Sequence, residues 1–172
     1  MRGWWWKIFL VLILNMGNAA AAYPERPIRF VVAAVAGSAP DITSRLVTTE
    51  MTHELGQQFV VDNRGGAGGT LGMPLIARAT PDGYTMGYGN IASLGIAPSV
   101  YAKLTYDPLK DFQPIGHIAD SYNILAVALS FPVKTVAELI DYAKKNPGKL
   151  VYGGATVGST QYMSGQLFNQ MA

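Results

Sequence analysis

The sequence predicts an α/β fold built around a mostly parallel sheet, and two features carry this prediction. Continuous apolar runs rich in β-branched residues, such as residues 28–35, are typical of strands buried on both faces. Glycine-bearing turns follow several of these runs and lead into segments with helical periodicity. A strand, a helix and a second strand in this order form a βαβ unit.

The first βαβ unit is predicted at residues 28–62. Gly37 turns the chain, and Ser38 followed three residues later by Asp41 has the spacing of a capping box. Apolar residues then recur at helical spacing until Gly56, and a second strand is predicted at 59–62. The expected buried stripe of the helix comprises Ile42, Leu46, Val47, Met51 and Leu55.

Glycine-rich segments divide the next part of the chain. Residues 63–69 contain four glycines and precede a short predicted helix at 70–79. A turn at 81–83 leads into a third predicted strand at 84–88. A polar, glycine-bearing loop is expected at 89–95.

The composition shifts to Lys, Asp, Pro and Tyr at residues 101–112, which indicates a connection between two lobes. Beyond it, Thr135 is expected to cap an amphipathic helix that presents Val136, Leu139, Ile140 and Ala143 on one face. The remaining predicted elements are strands at 115–118, 124–129 and 150–152, and a glycine loop at 153–159 that opens a helix at 160–171.

Charge and cysteine content exclude several classes of protein. Two of the 13 basic residues lie in the first 22 positions, and the 11 that remain equal the 11 acidic residues in number. A neutral body argues against nucleic acid as a partner, because phosphate binding needs a basic face. The absence of cysteine excludes disulfides, thiolate nucleophiles and cysteine-ligated zinc.

The N-terminus predicts export. Residues 1–22 combine the basic residues Arg2 and Lys7, a short apolar run at 8–14 and an Ala-x-Ala site at 20–22. This arrangement is typical of a secretory signal peptide, and a membrane anchor that stays attached is the alternative. We therefore expect a periplasmic protein that begins at Tyr23.

Two glycine turns at strand-to-helix junctions suggest an anion site. Gly37 and Gly158 each precede a predicted helix start, where free N–H groups and the helix dipole attract anions. Ser38, Ser159 and Thr160 add hydroxyl groups at these positions. The alternative, that the glycines only allow tight turns, stays open.

Other motifs lack a necessary part. Residues 153–160 have the spacing of a phosphate loop but carry Ser159 in place of lysine, and the dinucleotide pattern at 87–92 is interrupted downstream by Gly95 and Pro98. Asp41 has the chemistry of a general base, although a capping role explains it more simply. We therefore predict no catalytic residue, no metal and no cofactor.

Four sequence blocks in order resemble one known family. They are Asn63-Arg64-Gly65-Gly66-Ala67-Gly68-Gly69, Pro81-Asp82-Gly83-Tyr84-Thr85, Tyr106-Asp107-Pro108-Leu109-Lys110-Asp111-Phe112 and Pro147-Gly148-Lys149-Leu150-Val151-Tyr152-Gly153. Together they resemble the Bug family, the TctC-like receptors of tripartite tricarboxylate transporters, from about Tyr23 to the end of the chain. The chain departs from the family pattern in its first loop, at Ala97 and at Tyr162.

The resemblance implies a periplasmic binding protein fold of type II, with two lobes and mixed, mostly parallel sheets. Lobe 1 would comprise residues 23–105 and lobe 2 residues 106–172, with the second lobe incomplete because the chain looks C-terminally truncated. The implied pocket is lined by three loops. Its expected ligand-binding residues are Ala36, Gly37, Ser38, Asp41, Asn90, Ser93, Ala155, Thr156, Gly158, Ser159 and Thr160.

The resemblance also implies a function as a solute receptor. The expected ligand is a small di- or tricarboxylate or a related organic acid, and the expected partner is the membrane permease of the transporter. A monomer is expected. The alternatives are a ligand-sensing receptor that works with a sensor kinase and an enzyme on the same scaffold.

Overall fold

A parallel sheet of three strands forms the centre of the computed structural model, which describes residues 23–172. The strands are β1 (Ile28–Val32), β2 (Phe59–Asn63) and β3 (Thr85–Tyr88), in the spatial order β2-β1-β3. Both neighbours of β1 run parallel to it. The predicted βαβ architecture is therefore confirmed, whereas the predicted signal peptide lies outside the described residues.

Helical segments connect and follow the strands. The long helix α1 (Ala39–Leu55) joins β1 to β2, and a 3₁₀ turn (Ala67–Gly69) with the short helix α2 (Met73–Ala77) joins β2 to β3. After β3 come a π-helical turn (Ala92–Ile96), α3 (Ala97–Val100), α4 (Val136–Lys145) and α5 (Thr160–Met171). The segment predicted as a loop at 89–95 is thus partly helical.

The core lies on both faces of β1. Ile28, Phe30 and Val32 form one buried cluster with Phe59 of β2. On the other face α2 approaches so closely that its Ile76 side chain occupies the space over Gly87 in β3. A side chain at residue 87 has no room there, so Gly87 allows α2 to pack against the sheet.

Helix α1 packs on the sheet with a face that only partly matches the predicted one. Its buried residues are Asp41, Ser44 and Thr48, which share one side of the helix, while Ile42 and Leu46 are 54% and 67% exposed. Small polar side chains let the helix approach the sheet closely. The predicted apolar stripe was therefore wrong for Ile42 and Leu46, whereas Met51 of the same stripe packs partly buried against the core cluster. Part of the stripe also lines an open recess of about 600 Å³ beside α1.

The second part of the chain contains the two predicted helices but not the predicted strands. Thr135 caps α4 with a full capping box, in which its side chain accepts from the Glu138 N–H and Glu138 reaches back to the Thr135 N–H. Residues 115–118, 124–129 and 150–152 belong to no strand in the described chain. Their side chains are mostly exposed, and no neighbouring strand of the described residues pairs with their backbone.

Candidate functional site

The loop after β1 turns sharply before it enters α1. Gly37 has φ +77°, a left-handed conformation that glycine adopts without strain. Ser38 is the N-cap residue, but its Oγ donates 2.6 Å to the Val35 carbonyl and does not cap α1. The predicted capping box was therefore wrong, since the Asp41 carboxylate accepts from the Gly37 N–H and not from Ser38.

Asp41 is the centre of a hydrogen-bond network that fixes this loop. Its Oδ2 accepts from the Gly37 N–H at 2.8 Å, and its Oδ1 accepts from Arg45 Nε and Asn63 Nδ2, each at 3.0 Å. The residue is only 3% exposed. Because Asn63 ends β2 and Gly37 follows β1, Asp41 ties the ends of two neighbouring strands together.

These bonds also set the charge state of Asp41. The Gly37 N–H, then Asn63 and Arg45, stabilise the ionised carboxylate and hold its pKa below the usual value of 3.8. Both carboxylate oxygens already accept hydrogen bonds from the protein, so Asp41 holds the loop after β1 in position. The geometry gives Asp41 a structural role in this loop, and its predicted part in ligand binding stays a prediction.

Two residues of the predicted site, Asn90 and Ser93, form reciprocal hydrogen bonds within the segment after β3. Ser93 N–H donates to Asn90 Oδ1 at 3.0 Å, and the Asn90 N–H donates to Ser93 Oγ at 3.2 Å. Ser93 is 2% exposed, and the buried hydroxyl of Tyr106 donates to its carbonyl at 2.5 Å. Ser93 therefore supports this segment from within, and Asn90 is the more accessible of the two.

The second glycine loop, residues 153–159, leads into helix α5 as predicted. Ser159 is its N-cap, and the Ser159 Oγ accepts from the Tyr162 N–H at 3.2 Å. Gly158 has φ +84°, and Thr160 Oγ1 donates to Asn123 Oδ1 at 3.4 Å. Ala155 and Thr156 are exposed on the same loop.

The glycine loop at residues 65–69 contacts two of these segments directly. A Cβ placed on Gly69 would lie 3.2 Å from Ser93 Cβ and 3.3 Å from the carbonyl oxygen of Ala33, which follows β1. A Cβ on the adjacent Gly68 would lie 3.3 Å from the hydroxyl of Tyr101. The loop is thus packed between the segment after β1, the segment after β3 and Tyr101.

Tyr101 connects this loop to the second glycine loop. Its hydroxyl donates to the Val157 carbonyl at 3.2 Å, and a Cβ on Gly158 would lie 3.4 Å from its ring. Tyr101 and Gly69 were not among the predicted site residues. The available signal was the block at 63–69, which carried the family resemblance but no assigned role.

The predicted site residues fall into two groups in the described chain. Those after β1 and after β3 are brought together by Gly69, whereas those at 155–160 are linked to them only through Tyr101 and Gly68. No hydrogen bond joins residues 36–41 directly to residues 155–160 among the described residues. A common pocket that includes all three loops therefore stays a prediction.

Two recesses of the described chain lie away from these loops. One is the apolar recess beside α1. The other measures about 540 Å³ and lies near the N-terminal ends of β1 and β3. It is lined in part by Arg26, Arg29 and Arg78. Two of these arginines already pair with carboxylates, Arg26 with Asp82 and Arg29 with Asp62.

Metal-binding clusters and membrane-spanning helices are both absent from the part of the chain that the structure describes. Within 23–172 no cluster of histidine and acidic side chains is arranged to hold a metal ion. No helix in that range has the length and hydropathy needed to cross a membrane.

Comparison with known proteins identifies the family. Residues 43–172 match the family profile of TctC, the tripartite tricarboxylate transporter family receptor. The chain belongs to this family. The predicted family is therefore confirmed, and the TctC family is one of periplasmic binding receptors.

Solved structures confirm the α/β periplasmic binding fold. An R. palustris protein solved with adipate is 38% identical and superposes with a TM-score of 0.81, over 87% of this chain and 50% of its own. MatC from Rhodopseudomonas palustris, solved with bound malate, is 33% identical with a TM-score of 0.72, over 87% of this chain and 51% of its own.

A curated relative gives the same coverage. A UPF0065 protein of Bordetella bronchiseptica is 37% identical over 164 residues, which are 95% of this chain and 48% of that protein. The chain spans about half the length of the TctC relatives that it matches.

Proposed function

We propose that this chain forms part of a periplasmic receptor that captures a small carboxylate and delivers it to the permease of a tripartite tricarboxylate transporter. The observation that carries the proposal is the packing of the segments after β1 and β3 around Gly69, with the second glycine loop attached through Tyr101. Two TctC-family relatives were solved with dicarboxylates, adipate and malate. A dicarboxylate is therefore the first ligand class to test.

Open backbone donors support a carboxylate as the ligand. At the start of α5, the N–H groups of Thr160 and Gln161 donate to no acceptor in the described chain. The same holds for the N–H groups of Ala39 and Asp41 at the start of α1. Unpaired N–H groups in the first turn of a helix bind anions, and the helix dipole favours negative charge there.

The charge balance near α1 is compatible with an anionic ligand. The negative charge of Asp41 is directed at the Gly37 N–H, Asn63 and the Arg45 guanidinium, which compensate it. An arriving carboxylate would therefore meet N–H donors and not an uncompensated negative group. This compensation is the electrostatic condition for binding a second carboxylate close to a buried one.

We expect saturable binding of adipate or malate, measured by calorimetric titration and by thermal melting. A ligand present at 100 times its Kd stabilises the folded state by about 2.7 kcal/mol, which raises the melting temperature. Adipamide, which has the same carbon chain without charge, is the control and should give no shift. Equal shifts with adipate and adipamide, or no heat of binding for any dicarboxylate, would contradict the proposal.

We also propose export to the periplasm with removal of residues 1–22. The basis is the basic start, the short apolar run and the Ala-x-Ala site at 20–22. N-terminal sequencing of the periplasmic fraction from a Gram-negative host is expected to begin at Tyr23. Replacing Ala20 and Ala22 with bulky residues should block this processing, and a periplasmic protein that still carries Trp4 would contradict it.

A further inference from the structure

We propose that Tyr101 is a positioning residue that holds the glycine loop at residues 153–159 against the glycine loop at residues 65–69. In this way it sets the geometry in which the loop at 153–159 faces the segments after β1 and β3. Its connection to ligand binding rests on the proposed function, whereas its effect on loop position does not. Tyr101 directly follows α3, next to the predicted boundary at residue 105. It is therefore placed where one part of the chain meets the next.

The contacts of Tyr101 reach both glycine loops at once. The hydroxyl donates to the Val157 carbonyl at 3.2 Å. On the ring side, a Cβ on Gly158 would be 3.4 Å from Cε2, and a Cβ on Gly68 would be 3.3 Å from the hydroxyl oxygen. One side chain thus lies between residues 65–69 and residues 157–158.

Glycine at both positions makes this close approach possible. Gly68 and Gly158 have φ of +66° and +84°, so each combines a left-handed backbone with the missing side chain. The backbone at each position can therefore come within contact distance of the ring. The arrangement positions the second loop directly before the start of α5, where the open N–H groups of Thr160 and Gln161 are found.

The segment behind Tyr101 is anchored. The Tyr101 N–H donates to the Ala97 carbonyl at 2.9 Å, which completes the last turn of α3. Ala97 is fully buried. Because its base is fixed on the first part of the chain, Tyr101 can transmit that position to Val157 and Gly158.

The test measures the distance between the two parts of the chain with spin labels. The sequence has no cysteine, so a double variant with His53→Cys on α1 and Gln170→Cys on α5 carries two labels at exposed positions. We expect a narrow distance distribution that becomes broader with Tyr101→Phe, which loses only the hydroxyl, and broader still with Tyr101→Ala. Tyr122→Phe is the control, since Tyr122 is 87% exposed.

A titration with adipate forms the second readout. Loss of one hydrogen bond is expected to weaken binding about three- to tenfold in Tyr101→Phe, with little change in melting temperature. A distance distribution that is identical in the wild type, Tyr101→Phe and Tyr101→Ala would overturn the proposal. If the wild type binds no dicarboxylate but the distribution broadens as expected, the positioning role stands and the proposed ligand class fails.

Discussion

Replacing Gly69 with alanine is expected to destabilise the fold by about 1–3 kcal/mol, the cost of holding a non-glycine residue in a disfavoured backbone conformation. Gly69 has φ +95°, which side-chain-bearing residues rarely adopt. The added Cβ would also lie 3.2 Å from Ser93 Cβ and 3.3 Å from the Ala33 carbonyl oxygen. Because the segments after β1 and β3 both pack against this glycine, the substitution should also weaken carboxylate binding.

The measurement is urea denaturation of the variant beside a matched glycine control. Gly153→Ala introduces the same methyl group where nothing lies within 4 Å and the backbone has no positive φ. We expect Gly153→Ala to unfold at nearly the wild-type midpoint and Gly69→Ala at a clearly lower one. Equal midpoints for the two variants would show that Gly69 is not under the packing and backbone constraints described above.

Replacing Asp41 with asparagine is expected to lower stability at neutral pH and to reduce its dependence on pH. The pKa of Asp41 is lower in the folded chain than its usual 3.8, chiefly because of the Gly37 N–H. A depressed pKa contributes stability above pH 4 or so that is lost as the pH falls through the folded-state pKa. Asparagine has no such titration. If its carbonyl oxygen keeps the hydrogen bonds from Asn63 and Arg45, its NH2 group faces the Gly37 N–H, and one donor is left unpaired.

Denaturation curves between pH 7 and pH 3 test this prediction. The wild type should lose stability towards low pH, and Asp41→Asn should lose less over the same range. Some slope remains in the variant, because Arg29 lowers the pKa of Asp62 and the Leu109 N–H lowers that of Asp107. Asp141→Asn, which removes an exposed carboxylate without hydrogen bonds in the described chain, is the control. If Asp141→Asn and Asp41→Asn show the same dependence of stability on pH, the assignment to Asp41 is contradicted.

Local sequence signals were sufficient for the sheet and for most of the helices. The apolar run of β1 indicates a strand that is buried on both faces. Thr135 and Glu138, three positions apart, form the capping box of α4. Such signals act over a few residues and can be read directly from the chain. The glycine loop before α5 was predicted correctly for the same reason.

Features that depend on distant partners could not be predicted in this way. Hydrophobic periodicity selected the Ile42 and Leu46 side of α1, but the sheet accepts the smaller Ser44 and Thr48. The runs at 115–118 and 124–129 have strand composition, yet a strand also needs a hydrogen-bonded neighbour, which the described chain does not supply.

The candidate site shows the same division. The positions of Ser38, Asn90 and Ser159 near helix starts or strand ends follow from local pattern. The roles of Gly69 and Tyr101 arise from contacts between residues far apart in sequence, about 24 positions from Ser93 to Gly69 and 56 from Tyr101 to Val157. Recognition of the block at 63–69 marked the region without indicating what it contacts.

The central claim is that a small carboxylate binds at the segments after β1 and β3 and before α5. Backbone amide chemical shifts, followed during a titration with adipate, test this claim most directly. We expect the largest changes at residues 36–41, 90–93 and 157–161, which include the open N–H groups at the starts of α1 and α5. The recess that contains Arg26, Arg29 and Arg78 provides an internal comparison, because arginines there could also attract an anion. Chemical-shift changes confined to that recess, or no changes at these three segments under saturating adipate, would contradict the proposed carboxylate site.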